Sequence, residues 1–245
     1  MERYQVKNKK QCWYGESIGI LILNAHYPCI PGNVGNATTF RFPVRYKVVK
    51  EASIKGLLKL RDPALAEPFV RAALELQDDG VKAVTGACGF MALFQNEVRN
   101  ALEIPVFLSS LIQVPFIHRI LGGIKKIGII TADSQALGPD HFLSIGVPYD
   151  DSLRIAGMED QKEFREAVLE EKGTLDSGLI RSEVLAVARR LAADPAVGAI
   201  LLECSDLPPY ASAIQEELRL PVFDFVTMIG FVHSALVRVP FSGFL

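Results

Sequence analysis

The chain contains two copies of one 39-residue pattern, at residues 79–117 and 195–233. The copies align without a gap, so that Cys204 lies 116 residues after Cys88 and the Pro-Val-Phe triplet of one copy matches that of the other. A chain built from two copies of one unit is expected to fold as two similar lobes that face each other across a cleft. The pseudo-twofold relation would then place one thiol on each wall of that cleft.

Short apolar runs alternate with amphipathic helical patterns along the rest of the chain. The runs Ile18–Asn24 and Lys126–Asp133 are typical of strands buried on both faces. Strands that alternate with helices of about 10–15 residues indicate βαβ units and parallel sheets. We therefore predict an α/β fold with two pseudo-symmetric Rossmann-like lobes, whose parallel sheets face a central cleft. The predicted units are a polar tail at 1–17, a first lobe at 18–122 and a second lobe at 123–245, with the extreme C-terminus a candidate to pack back on the first lobe.

The same patterns predict the remaining elements. Helices are predicted over 63–77, 91–102, 114–121, 160–171, 182–193, 211–218 and 229–237, and strands over 81–87, 106–108, 199–203 and 222–225. The segment 27–50 has no counterpart in the second half and is rich in Pro, Gly and Asn before it begins to alternate. We predict a functional loop that leads into an extra strand there.

Charge and hydropathy exclude several classes of protein. The net charge is −2 and the basic residues form no patch, so nothing indicates a nucleic-acid partner. The apolar run at Ile18–Leu23 is far shorter than the ~20 residues that span a bilayer, and the polar opening has no secretory pattern. We expect a cytoplasmic protein with no membrane partner.

The four cysteines fall in no metal-binding spacing, so we predict no metal site and free thiols in a reducing compartment. Cys88 and Cys204 each follow a predicted buried strand and precede a predicted helix. In open parallel sheets, ligands bind outside the carboxyl ends of the strands, and a helix N-terminus favours an anion or a thiolate. An isolated buried cysteine is more often a small core residue, but two at matching repeat positions indicate function.

These motifs resemble the aspartate/glutamate racemase superfamily, which includes aspartate, glutamate and hydantoin racemases, maleate isomerase and arylmalonate decarboxylase. The resemblance covers most of residues 18–237 and is carried by the cysteines within TGACGF and LECSDL, the two-lobed repeat and the loop PGNVGN. It implies proton abstraction and return by Cys88 and Cys204 without a cofactor, in a protein that is usually a homodimer. Gly89 and Phe90 follow the first cysteine where the amino-acid racemases carry polar residues.

The sequence thus predicts a cofactor-independent racemase or epimerase of a small carboxylate, such as aspartate, glutamate or a hydantoin. One thiolate would remove a proton while the opposite thiol supplies one. Three alternatives stay open: a reaction like that of maleate isomerase, one like that of arylmalonate decarboxylase, and a non-catalytic carboxylate-binding protein. Glu203 is expected to point away from the cleft. The predicted substrate-binding residues are Asn24, Gly35, Asn36, Thr85, Gly89, Phe90, Ser205 and Asp206.

Overall fold

The computed structural model describes residues 3–6, 9 and 11–244, and in these the chain forms two four-stranded parallel sheets. The order of strands is β2-β1-β3-β4 in the first sheet and β6-β5-β7-β8 in the second, so the two sheets have the same topology. The predicted α/β fold class is confirmed. The strands are β1 (Ile18–Leu23), β2 (Val44–Val49), β3 (Ala83–Gly86), β4 (Val106–Phe107), β5 (Lys126–Thr131), β6 (Leu153–Gly157), β7 (Val197–Leu202) and β8 (Val222–Phe223).

Helices connect the parallel strands, as parallel pairing requires. The α-helices are α1 (Ala66–Asp78), α2 (Gln95–Ala101), α3 (Val114–Ile120), α4 (Pro139–Leu143), α5 (Lys162–Phe164), α6 (Ser177–Ala192), α7 (Ala211–Leu218) and α8 (Phe225–Leu236). Short 3-10 segments lie at Ala37–Thr39, Pro63–Leu65, Gly89–Phe94, Ser110–Gln113 and Pro208–Tyr210, and π-helical turns at Lys55–Lys59 and Arg165–Leu169.

Capping residues explain two differences between the predicted and observed boundaries. Helix α6 begins at Ser177 rather than 182, because the Asp176 carboxylate accepts hydrogen bonds from the first backbone N–H groups. Phe225 was predicted to end a strand but is the first residue of α8, where Asp224 and Thr227 form a capping box. A side-chain cap ends the extended conformation earlier than the apolar pattern alone suggests.

Other elements were missed or had a different form. Strand β6 and helix α4 were not predicted, since their short sequences have no clear period. The predicted helix at 160–171 is the short helix α5 followed by the π-helical turn at Arg165–Leu169.

The final helix of the chain packs on the first sheet rather than on the second. Phe225, Met228 and Ile229 of α8 share a buried cluster with Ile18 and Ile20 of β1. Helix α3 follows the first sheet in sequence and in turn contacts β5 of the second sheet. The last helix of each half therefore packs on the sheet of the other half, and these contacts hold the two sheets together.

Candidate active site

Cys88 and Cys204 line one shared cavity between the two sheets. Each lies two residues beyond a central strand, Cys88 after β3 and Cys204 after β7. The matched topology brings the carboxyl ends of these two strands together, which is where parallel sheets bind ligands. Both cysteines are free thiols. The cavity is small, about 40 Å³.

Two π-helical turns form an apolar wall of this cavity. Ile54 and Leu58 come from the turn that follows β2, and Val168 and Leu169 come from the turn that follows β6. These turns occupy equivalent places in the two halves of the fold. Turns of this kind are rare and are frequently found at functional sites.

The polar wall is organised around the Asp206 carboxylate. The Cys204 thiol donates to Asp206 Oδ2 at 3.3 Å, and the Tyr27 hydroxyl donates to the same oxygen at 3.2 Å. The Asn33 side-chain amide donates to Asp206 Oδ1. Asp206 therefore has donors on both oxygens from three side chains, two of which come from the loop after β1.

Burial sets the protonation state of these groups. Burial, and then the negative charge of Asp206, raise the pKa of Cys204 well above its ordinary value. Burial, and then the charge of Glu203, also raise the pKa of Cys88, although backbone N–H groups at Phe90 and Met91 oppose that shift. Both side chains are therefore thiols at neutral pH.

The pKa of Asp206 is raised by burial, and its hydrogen bonds with the Cys204, Asn33 and Tyr27 side chains oppose this rise. Among the residues that the structure describes, no lysine, arginine or histidine lines the cavity. The described part of the site thus contains an acid with no basic partner.

Five of the ten predicted site residues line the cavity. The Ser205 hydroxyl donates to the Ala87 carbonyl across the lobes at 2.7 Å. Gly35 lies close to Cys29, and a Cβ at position 35 would be 2.9 Å from the Cys29 sulfur. The five residues are Gly35, Cys88, Cys204, Ser205 and Asp206.

Two predicted asparagines lie outside the cavity and have structural partners. Asn24 is exposed, and its side-chain amide donates to the Lys50 carbonyl at 3.2 Å. Asn36 caps the 3-10 segment that follows it, accepting from Thr38 N, and donates to the Cys29 carbonyl at 2.8 Å. The Asn24 bond joins the chain after β1 to the chain after β2, and the Asn36 bonds stabilise the loop. Contact of these two residues with substrate stays a prediction.

Three predicted residues near Cys88 also lie outside the cavity. Thr85 is fully buried and donates to the Phe107 carbonyl at 2.7 Å. Phe90 is buried and packs edge-on against the His141 ring. Gly89 lies against the side chain of Glu203. These residues shape the turn that carries Cys88.

Sequence reasoning missed several residues of the cavity wall. Tyr27, Cys29 and Asn33 line it, and all three belong to the unrepeated loop, so the absence of a repeat partner was a usable signal. The cavity residues of the two π-helical turns were also missed, because no periodic pattern in the sequence marks them.

Within the described residues there is no group of three or more metal-ligating side chains. The same part of the chain has no helix that is long and apolar enough to cross a membrane.

The two-lobed fold is shared with solved structures of racemases and of a decarboxylase. Unliganded arylmalonate decarboxylase superposes with a TM-score of 0.57 at 18% identity, covering 90% of this chain and 92% of that one. Picrophilus torridus aspartate racemase gives a TM-score of 0.57 at 13% identity, covering 91% and 96%. A glutamate racemase isoform from Bacillus anthracis gives 0.53 at 17% identity, covering 91% and 84%. At these identities the likeness shows the fold alone.

Sequence relatives are more specific. A dimethylsulfoniopropionate lyase of Durusdinium sp. clade D is 32% identical over 237 residues, covering 93% of this chain and 77% of the relative. Dimethylsulfoniopropionate lyase 6 of Emiliania huxleyi is 32% identical over 235 residues, covering 93% of this chain and 61% of the relative. The chain belongs to the dimethylsulfoniopropionate lyase family. No family model matches it.

Proposed function

We propose that the protein is a lyase that cleaves dimethylsulfoniopropionate, or a closely related sulfonium carboxylate, into dimethyl sulfide and acrylate. The names of its sequence relatives support this reaction rather than racemisation. The observation that carries the proposal is the composition of the cavity wall, which has three thiols (Cys29, Cys88 and Cys204) and the acid Asp206 but no basic side chain among the described residues.

The acid in the wall discriminates between the candidate substrates. A dicarboxylic amino acid would bring two carboxylates and one ammonium group, and so a net negative charge, into a cavity that already holds Asp206 and has no basic side chain in its described lining. A sulfonium carboxylate brings one positive charge on sulfur, which is attracted to Asp206. A sulfonium has no N–H to donate, so this attraction needs no hydrogen-bond geometry.

Cys88 and Cys204 are not equivalent as bases. Two backbone N–H groups, at Phe90 and Met91, favour the Cys88 thiolate, and only one, at Asp206, favours that of Cys204. Asp206 opposes both thiolates, but it is the leading charge against Cys204 and follows Glu203 for Cys88. Asp206 and Cys204 belong to the turn after β7, whereas Cys88 follows β3 of the other sheet, so a sulfonium at Asp206 would lie in the turn of Cys204 and not in that of Cys88. We assign the role of base to Cys88. Binding of the cation beside these groups would lower the pKa of both thiols and help to form the thiolate.

The reaction then needs one base and no cofactor. The Cys88 thiolate takes the proton from the carbon next to the substrate carboxylate. The electron pair of that C–H bond forms the carbon–carbon double bond, and the carbon–sulfur bond breaks with its electron pair on the departing dimethyl sulfide. The proton on Cys88 returns to solvent, and the leaving group is neutral, so no acid has to protonate it.

The apolar wall suits the rest of such a substrate. Ile54, Leu58, Val168 and Leu169 offer hydrocarbon surface to the methyl and methylene groups. The substrate carboxylate would be bound by neutral donors, such as the thiols and free backbone N–H groups of the two cysteine turns.

A second candidate is the racemase or epimerase predicted from the sequence. The observation in its favour is that one thiol from each half of the repeat lines the same cavity. A racemase needs a base and an acid on opposite faces of one carbon, which such a pair would supply.

Product analysis separates the two candidates. The purified chain is incubated with dimethylsulfoniopropionate, and the headspace is assayed for dimethyl sulfide while the solution is assayed for acrylate. In parallel, aspartate, glutamate and hydantoins are followed by circular dichroism. We expect equal amounts of dimethyl sulfide and acrylate, with no loss of optical activity in the amino acids or hydantoins. Racemisation without sulfide release would overturn the proposal and favour the second candidate.

A further inference from the structure

Glu203 is a buried acid that the proposed reaction does not use. It lies between β7 and Cys204 and is 0% exposed. Its Oε2 accepts from the Thr131 hydroxyl at 2.7 Å, while its Oε1 has no hydrogen-bond partner. As the sequence predicted, it does not line the cavity. A buried carboxyl with an unpaired oxygen is costly, so its presence calls for a physical reason.

The carboxyl group of Glu203 lies directly against the turn that carries Cys88. A Cβ at Gly89 would be 1.9 Å from Glu203 Oε1 and 2.5 Å from the Glu203 carbonyl oxygen. No side chain fits at position 89 while Glu203 is in place. Glycine at this position therefore allows the acid to approach the backbone immediately after the cysteine.

The repeat shows that this contact is asymmetric. Position 203 in the second copy corresponds to Ala87 in the first, and position 89 corresponds to Ser205. The contact between Ser205 and Ala87 is thus the pseudo-symmetric counterpart of the contact between Gly89 and Glu203. Only the contact between Gly89 and Glu203 includes an acid, and this contact lies next to Cys88.

We propose that Glu203 is a positioning residue that controls the ionisation of Cys88. As a neutral acid it supports the Cys88 turn and permits the thiolate, and as a carboxylate it holds Cys88 in the thiol form. The base that acts on the substrate would thus be controlled by a second group outside the cavity.

The groups around Glu203 are consistent with this role. The titratable groups on the adjacent turns are Cys88 after β3, and Cys204 and Asp206 after β7 itself. From the other packed elements, the Thr131 and Ser110 hydroxyls face the residue, Ser110 through the Glu203 carbonyl at 3.3 Å. None of these groups brings a positive charge that would compensate an ionised Glu203.

Burial raises the pKa of Glu203 to about 8, with only the Thr131 hydrogen bond opposing the shift. The group is therefore mostly neutral at pH 7 and ionises in the weakly alkaline range. The charge of Glu203 is the second cause, after burial, of the raised pKa of Cys88. Ionisation of the acid thus opposes ionisation of the thiol from the weakly alkaline range upward.

The test is the pH dependence of Cys88 alkylation in the full-length chain. Cys88 is partly exposed to the cavity, so iodoacetamide can reach it, and the modified peptide is quantified by mass spectrometry between pH 6 and pH 10. Glu203→Gln keeps the shape and the acceptor for Thr131 but cannot ionise. We expect its alkylation profile to move to lower pH by at least one unit, which is about a tenfold faster reaction at pH 9.

The matched control is Glu216→Gln on the exposed face of α7, which should leave the profile unchanged. Glu203→Met is a second neutral variant, in case the amide prevents folding, and it should shift the profile in the same direction. A folded neutral variant whose Cys88 profile matches that of the unsubstituted chain overturns the proposal. Because this readout uses no substrate, its failure would leave the lyase reaction standing, and the absence of sulfide release would not affect it.

Discussion

The role of Asp206 in binding the cation can be tested by removing its charge and keeping its shape. Asp206→Asn retains an oxygen that can accept from the Tyr27 hydroxyl or the Cys204 thiol. It abolishes the attraction between the carboxylate and a sulfonium in the cavity. The expected effect is a rise in KM for dimethylsulfoniopropionate and a fall in kcat/KM.

The expected magnitude follows from the surroundings of the carboxylate. Two unit charges about 4 Å apart attract by about 1 kcal/mol in water and by about 4 kcal/mol at the effective dielectric of a protein site. Asp206 is partly buried between the lobes and next to an apolar wall, so the larger value is the closer guide. We expect a loss of about 3 kcal/mol, which is roughly a hundredfold fall in kcat/KM.

A neutral ligand of the same shape isolates the effect of charge. In 4-methylpentanoate a carbon replaces the sulfonium sulfur, so its inhibition should be unchanged or strengthened by Asp206→Asn. The control variant Asp151→Asn, in an exposed turn, should change neither the KM for dimethylsulfoniopropionate nor the inhibition by 4-methylpentanoate. If Asp206→Asn weakens the cationic and the neutral ligand equally, the residue has a structural role and the reasoning about charge is wrong.

Two further predictions concern stability. Gly86→Ala should lower Tm, because a Cβ there would be 2.5 Å from the Leu108 carbonyl oxygen. In Gly230→Ala the new Cβ on α8 meets no atom within 4 Å, so this variant should stabilise the folded protein by up to about 1 kcal/mol. Because burial raises the pKa of Glu203 to about 8, the folded state holds this proton more tightly than the unfolded chain does. The free energy of unfolding should therefore fall between about pH 4.5 and pH 8, by at most about 1.4 kcal/mol per pH unit. Denaturant titrations should show this fall in the unsubstituted chain and a flatter profile in Glu203→Gln.

The sequence was most informative where its signal was periodic or repeated. The repeat and the apolar runs were sufficient to predict both parallel sheets and the shared cavity of Cys88 and Cys204. The loop after β1 could be assigned to the site because it has no repeat partner. It could not be resolved into cavity residues and turn residues, since Asn33 and Asn36 look alike in sequence and differ only in which atoms they contact.

The reaction was harder to predict than the fold. The resemblance to racemases rested on the cysteines, which a lyase can use equally well as bases. The property that favours the proposed lyase reaction is the absence of basic side chains from the described cavity wall. This depends on which residues meet in the folded chain, and no local motif encodes it. The proposed role of Glu203 could not be predicted for the same reason, since its contact with Gly89 joins two distant segments. The homodimer and the cytoplasmic location stay predictions.

The central claim is that Cys88 removes a proton from a sulfonium carboxylate and so expels dimethyl sulfide. The most direct measurement is the initial rate of sulfide release by the unsubstituted chain, Cys88→Ser and the control Cys12→Ser, whose site is exposed at the polar opening of the chain. We predict release by the unsubstituted chain and the control, and a fall of about 10²–10⁴-fold in Cys88→Ser with its fold intact. The claim would be contradicted if Cys88→Ser released dimethyl sulfide as fast as the unsubstituted chain, or if none of the three proteins released it.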